Sequence, residues 1–247
     1  MQRLISDLKG YAIGAKDGDI GAVDDFLFDD ELWTMRYLVA DTAKWLPGRR
    51  VLISPIALGH VETDAKRISV SLTREQVKNS PDLDSRDISR EHEMSYYDYY
   101  GWPYYWIGGA VWGLGTVPGN LAQEKKLPAE APLQPGEEPH LRSAKEVTGY
   151  YIEAKDGDIG HVEDFVIDDE SWEIRYMIVD TKNWWPGKKV LISPEWIESV
   201  SWSDSRVYVE LSRDSIQSGP EFDPKNLNRD YETRLHKHYD RPGYWII

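Results

Sequence analysis

The chain has 247 residues, with 29 Lys and Arg against 43 Asp and Glu and a net charge of −14. That field repels nucleic-acid phosphate and anionic membrane surfaces, so no nucleic-acid partner is expected. With no cysteine, the chain has no disulfide, no thiolate metal site and no cysteine nucleophile, and it fits a reducing compartment.

The first ten residues, MQRLISDLKG, carry no apolar stretch of signal-peptide length. From residue 10 onward the chain repeats itself. Residues 10–108 align without a gap with residues 149–247, with 43 identities in 99 positions. GYAIGAKDGDIG at 10–21 is answered by GYYIEAKDGDIG at 149–160, and WLPGRRVLISP at 45–55 by WWPGKKVLISP at 184–194. Two copies of one unit are therefore expected, each of a size that supports a small core.

Within the first copy, residues 10–15 read as extended and Lys16-Asp17-Gly18-Asp19 as a tight turn, since Asp-Gly supplies the positive φ of hairpin turns. A second strand is expected over 20–28, a turn at Asp29-Asp30-Glu31, and a third strand over 33–41. There Trp33, Met35, Tyr37 and Val39 alternate on one face, matched by Trp172, Ile174, Tyr176 and Ile178. Leu38 and Ala40, with Met177 and Val179, make the other face apolar too, so this strand should be covered on both sides, by a helix or by the other copy. Pro47-Gly48 turns the chain into the run Val51-Leu52-Ile53, ended by Ser54-Pro55, and extended runs at 57–62 and 67–72 bring the total to five or six strands.

Thr73 and Gln76 form a capping-box pattern for a helix, of which the copy keeps only the hydroxyl of Ser212. A second helix is expected from Ser89, with Glu91 and Glu93 at its positive end, and from Asn228 in the copy. Each copy ends in an aromatic segment. The unduplicated stretch 109–120 is rich in Gly and Trp. The stretch 125–140, KKLPAEAPLQPGEEPH, reads as a flexible linker. The most apolar window, 101–119, is broken by Pro103, Pro118 and several glycines, so no membrane span is expected and the chain reads as soluble and cytoplasmic.

Gly10-x-x-Ile13, the Asp17-Gly18 turn, Ile20-Gly21-x-Val23-x-Asp25-Phe26 and the later Val51-Leu52-Ile53-Ser54-Pro55 resemble the PRC-barrel module. That module is named from the H subunit of the purple-bacterial photosynthetic reaction centre. It also forms the C-terminal domain of a ribosome maturation factor and occurs in many small bacterial proteins. The resemblance implies a mainly β fold with short helices: two small, highly bent barrels, each with a helical, aromatic C-terminal appendage, used as adaptors and without catalytic residues. The expected blocks are repeat 1 over 1–82, its helix and tail over 83–108, the Gly/Trp segment and linker over 109–144, repeat 2 over 145–221, and its helix and tail over 222–247. The surplus apolar strand surface makes an intramolecular pairing of the repeats a further expectation.

Several residues invite a chemical reading. Asp17, Asp19, Asp24, Asp25, Asp29 and Asp30, copied at Asp156, Asp158, Glu163, Asp164, Asp168 and Asp169, supply the oxygens a hard cation wants, but they also suit hairpin turns, which is the favoured reading. No metal site is expected from the six histidines, whose copies are not His; His236 and His238 should point to different faces of a helix. Asp41-Thr42 and Asp180-Thr181 lack a neighbouring base and read as backbone caps. The pairs Arg49/Arg50 and Lys188/Lys189 read as salt-bridge partners within an acidic protein. The aromatic tails are the strongest candidates: Trp102, Tyr104, Tyr105 and Trp106, with Tyr244 and Trp245, carry the residue types of binding hot spots and of internal packing alike. The function expected is a non-enzymatic protein-interaction adaptor with an unidentified protein partner, no catalytic residues and no cofactor. The alternatives are a small-ligand or cation-binding module on the acidic turns, and a role like that of the reaction-centre H subunit in electron-transfer assembly.

Overall fold

The structure is a computed structural model that describes residues 1–42, 45–46, 49–81, 88–122, 140–181 and 187–246. The strands are β1 (Gln2–Leu4), β2 (Ala12–Ala15), β3 (Gly18–Asp29), β4 (Thr34–Asp41), β5 (Arg50–Ile53), β6 (Leu58–Glu62) and β7 (Arg67–Val70), followed by β8 (Leu141–Ser143), β9 (Tyr151–Ala154), β10 (Gly157–Asp168), β11 (Ile174–Asp180), β12 (Lys189–Ile192), β13 (Ile197–Ser201) and β14 (Arg206–Val209). The α-helices are α1 (Ile5–Leu8), α2 (Arg74–Asn79), α3 (Arg90–Tyr100), α4 (Pro118–Leu121), α5 (Ala144–Val147), α6 (Arg213–Ser218) and α7 (Arg229–His238). No helix among the described residues is long and apolar enough to cross a membrane.

The fold is mainly β, in two seven-stranded sheets. One runs β5-β4-β3-β2-β7-β6 with β8 added on β3; the other runs β12-β11-β10-β9-β14-β13 with β1 added on β10. Among the described residues each ladder ends at its outer strands, without closing into a ring. The two registers agree residue for residue: Phe26 pairs with Leu38 and Leu27 with Tyr37, as Phe165 does with Met177 and Val166 with Tyr176. Ala12 pairs in parallel with Arg67, as Tyr151 does with Arg206.

Turn and bulge chemistry explain the repeated motif. Residues 16–17 form the two-residue loop between β2 and β3, with Gly18 at φ 139°. At Gly21 and Gly160, with φ 152° and 148°, a Cβ would collide with the carbonyl of Asp41 or Asp180 on the paired strand, so only glycine fits. A bulge between Val23 and Asp25 turns the Asp25 carboxylate inward, where it accepts from its neighbour Phe26 N at 2.8 Å; Asp164 and Phe165 repeat this arrangement.

The chain forms two compact units. The first holds Met1, Ser6–Lys145 and Asp168–Glu173; the second holds Gln2–Ile5, Glu146–Ile167 and Ile174–Ile247. Each thus recruits a short strand from outside its own six. In the first unit β8 is fixed on β3 by Asp25, which accepts from Ser143 Oγ at 2.5 Å and Lys145 N at 3.0 Å. Neither β1 nor β8 was expected from the sequence, because three residues are too few for a period to register.

β4 is buried on both faces, as its two-sided apolar pattern required. In the first unit α3 supplies the cover: Tyr96 packs edge-on against Tyr37 at 5.6 Å, a pairing worth about 0.5–1.5 kcal/mol beyond burial. The Tyr96 hydroxyl donates to Leu52 O and accepts from Ser54 N, so the helix is bonded as well as packed. Trp33 and Trp172, expected at the start of the third strand, instead occupy left-handed turn positions just before β4 and β11, at φ 49° and 61°. The bend of the hairpin takes them out of the alternating face.

Helix starts follow the capping residues. Thr73 and Gln76 form the expected capping box at α2, and Ser212 caps α6 through its hydroxyl. Ser89 caps α3 with His92, and Asn228 caps α7. The Gly/Trp stretch is packed into the first unit: Trp112 is fully buried and α4 lies against the turn at Pro55–Ala57. The Pro47-Gly48 turn and most of the 125–140 linker lie outside the described residues.

Candidate functional site

In the first unit a buried carboxylate organises the aromatic tail. The Ser89 cap sets the start of α3, which places Glu93 one turn after Arg90 and turns it inward, where its side chain has 0 % exposure. Glu93 accepts from Tyr37 Oη of β4 at 2.8 Å and from Tyr105 Oη of the tail at 3.1 Å, and forms an ion pair with Arg90 Nη1 at 2.6 Å. Burial holds the Glu93 carboxyl above its ordinary value against the pull of Arg90 and the two hydroxyls. Burial and the Glu93 charge push the Tyr37 and Tyr105 phenols well above theirs.

Beside this cluster lies Arg36, also with 0 % side-chain exposure. Its guanidinium donates through Nε and Nη2 to Asp29 Oδ2 and through Nη1 to Val111 O at 2.7 Å. Its plane lies 4.0 Å from the Tyr105 ring and 4.8 Å from Trp112, whose indole N–H donates to Ser171 O at 2.7 Å. Arg90 in turn covers Trp106 at 4.3 Å. An open cleft of about 370 Å³ ends on these groups, its wall made by Arg90, Tyr105 and Trp106 and its rim by Asp29, Glu31 and Leu32.

The second unit repeats the cluster. Glu232 of α7 accepts from Tyr176 Oη at 3.0 Å and Tyr244 Oη at 2.9 Å and pairs with Arg229 at 3.1 Å, while Gln2 of β1 adds a fourth donor. Arg175 lies over Tyr244 at 4.2 Å and Arg229 over Trp245 at 4.1 Å, as Arg36 and Arg90 do in the first unit. One difference between the centres adds a titratable side chain. Where the first unit has Tyr97, the second has His236, whose Nε2 meets Tyr176 Oη at 2.9 Å and whose Nδ1 meets Pro242 O at 2.8 Å. Burial pushes the His236 imidazole below its ordinary value, against the pull of the Pro242 carbonyl and the charges of Glu195 and Glu232.

Of the candidate tail residues, Tyr104 and Tyr105 are 7 % and 4 % exposed, whereas Trp102, Trp106, Tyr244 and Trp245 are half-buried. Tyr104 stacks on Trp106 at 4.8 Å and donates to Asp98, and Trp102 stacks on Tyr100 at 4.5 Å. Much of the tail thus packs inside its own unit, and Trp106 borders the cleft. The sequence reading missed Arg36, Tyr37, Arg90, Glu93 and their copies as a group. Glu93 was read as a helix-end charge and Tyr37 as strand core. The signal was present: all four residues, with Tyr105 and Trp106, are identical in the two copies.

The acidic turns are used by the fold. Asp17 and Asp156 accept from the first N–H of α2 and α6; Asp19 pairs with Arg67 and Asp158 with Arg206. Asp24 pairs with Arg50, Glu163 with Lys189, and Asp30 with Arg142. Asp29 and Asp168 cap their hairpin loops, and Asp169 holds the Met1 amine. Arg50 and Lys189 of the basic pairs are thus in salt bridges as expected, while Arg49 and Lys188 donate to main-chain carbonyls at the C-terminal ends of α2 and α6, since those helix ends leave acceptors free. Thr42 and Thr181 donate to the carbonyls of residues 49 and 188, the capping role expected of them. His236 and His238 diverge, the first buried and the second exposed with Nε2 on Ser215 O.

Residues 142–216 match the family model of the PRC-barrel domain. A comparison with curated proteins found no match.

Proposed function

We propose that the chain is a non-enzymatic protein-interaction module made of two PRC-type modules, the second over the matched residues and the first its sequence copy. The observation that carries this reading is the cleft of the first unit. It joins a Trp, a Tyr and an Arg, the residue types that dominate binding hot spots, to an exposed Leu32 at its rim. The half-buried Trp106 edge needs no unfolding to be reached, and the net charge of −14 weighs against nucleic acid as the partner. A cation site on the acidic turns is the weaker reading, because those carboxylates already serve arginines and main-chain N–H groups. A reaction-centre-like role in electron-transfer assembly rests on the resemblance alone.

The test is a crosslinking capture with the full chain and a rim variant, Leu32→Asp combined with Glu31→Lys, which leaves the Glu93 cluster intact. A partner held by the wild type, lost with the rim variant and kept by a control variant on the second unit, Tyr151→Ser, supports the reading. A set of captured proteins that the rim variant leaves unchanged counts against it.

A further inference from the structure

Each repeat is led by a short arm, and the two arms are exchanged. Residues 1–9 lead into Gly10 and residues 140–148 into Gly149, at the same offset of 139 that relates the repeats. Each arm holds a three-residue strand followed by a one-turn helix, β1 with α1 and β8 with α5. Yet β8, which leads the second repeat, pairs with β3 of the first, and β1, which leads the first, pairs with β10 of the second. The way one module holds another is therefore visible inside the chain.

The docking uses groups that any copy of the arm would meet. On the first repeat β8 runs antiparallel to β3, with Ser143 opposite Leu27 and Leu141 opposite Asp29. Asp30 N donates to His140 O at 2.9 Å, and at the matching place of the second repeat Asp169 N donates to Met1 O at 2.9 Å. Asp25 receives the start of α5 through Lys145 N and the Ser143 hydroxyl, and Asp164 stands at the same bulge of β10. The arms themselves differ, Gln2-Arg3-Leu4 against Leu141-Arg142-Ser143, so the main chain does most of the recognition. One side chain suits the second repeat in particular. Gln2 Nε2 donates to Glu232 Oε1 at 2.5 Å and to Tyr244 Oη at 2.9 Å, and its counterpart Leu141 has nothing to donate.

We infer that β10 also takes the arm of a second copy of this chain. The product is a reciprocal dimer in which residues 2–5 of each copy lie on β10 of the other, and Gln2 of each completes the Glu232 cluster of the other. Every bond of the docked arm is kept in this exchange, so the tether decides which arm is held. A short tether presents its own arm at an effective concentration in the mM range, and the dimer gains ground as the chain approaches that concentration. The inference rests on strand pairing and not on the cleft, so it stands or falls apart from the partner reading above.

The test refolds the full chain from urea at about 1 μM and at about 1 mM and reads the mass by light scattering. The dilute sample should be monomeric, and a species of doubled mass should form in the concentrated one. Half of the chains carry isotope labels, so that filtered NMR contacts report only on pairs of different copies; such contacts are expected between Gln2 and Tyr244. A chain shortened by residues 1–4 should stay monomeric at both concentrations. A monomer throughout, or a dimer without Gln2-to-Tyr244 contacts between copies, overturns the inference in the wild type alone, whether or not the shortened chain folds. A dimer that survives removal of residues 1–4 overturns it as well.

Discussion

Replacing Glu93 by Ala removes the acceptor on which three elements of the first unit converge. The Tyr37 and Tyr105 hydroxyls and the Arg90 guanidinium lose bonds of 2.8, 3.1 and 2.6 Å, in a place where the two rings are almost fully buried and Arg90 is only 13 % exposed. Removing one side of a buried ion pair costs about 3–5 kcal/mol, and orphaned buried hydroxyls act in the same direction, so we expect about 4 kcal/mol. With a urea dependence of about 2 kcal/mol per M, the midpoint of the first unit should fall by about 2 M. Tryptophans are spread over both units, so the assay is urea unfolding followed by β4 amide signals in NMR. A second variant separates lost bonding from lost volume. Glu93→Met with Arg90→Met, Tyr37→Phe and Tyr105→Phe removes every polar member and should regain most of the loss, because no buried group is left unpaired. A Glu93→Ala midpoint within about 0.3 M of the wild type would refute the argument that the carboxylate holds the tail.

The pH response should differ in sign between the units. Glu93 is held above its ordinary value, so its contribution to stability is full below the unfolded value and is lost as pH rises through the folded one; Glu93→Gln should flatten that slope in urea melts. His236 is held below its ordinary value, so its contribution is full above the free imidazole value and falls as pH drops toward the folded one, a slope that His236→Tyr should remove. Gly21→Ala and Gly160→Ala should each destabilise their own unit by about 3 kcal/mol or more in denaturant melts, since the added methyl meets a strand carbonyl at positive φ. Thr73→Ala should cost only about 1 kcal/mol, because a capping box at the start of a short helix is lost and nothing buried is exposed.

Strands and caps were legible in the sequence because their signals are local. The Asp-Gly turn, the alternation along β4 and the Thr73–Gln76 pair each need only a few neighbouring residues. The Glu93 cluster joins β4, α3 and the tail across sequence separations of 56 and 12, so no window contains it. β8 is legible only afterwards, through Asp25: the buried carboxylate that reads as a turn residue is what receives Ser143 and Lys145. The tails illustrate a different limit. Tyr and Trp suit hot spots and cores equally, and only the three-dimensional neighbours show that Tyr105 faces a carboxylate and an arginine while Trp106 borders a cleft.

The two units show what duplication leaves free to change. Arg36, Tyr37, Arg90, Glu93, Tyr105 and Trp106 form a closed set in which each charge or hydroxyl answers another, so altering one member strands the rest; the set is identical in both copies. Tyr97 stands at the edge of that set. Its hydroxyl is 3.5 Å from Ser54 Oγ and gives nothing to Glu93, so the position can change without taking a donor from the carboxylate. In the second unit it became His236, which adds a bond to the tail and with it a titratable group. The first unit is elaborated elsewhere: the unduplicated Gly/Trp stretch brings Trp112 over Arg36 and lines part of the cleft through Ala110. Residues inside the closed set therefore report on stability in both units alike. Differences in what the units do should be sought at His236 in one and along the rim of the cleft in the other.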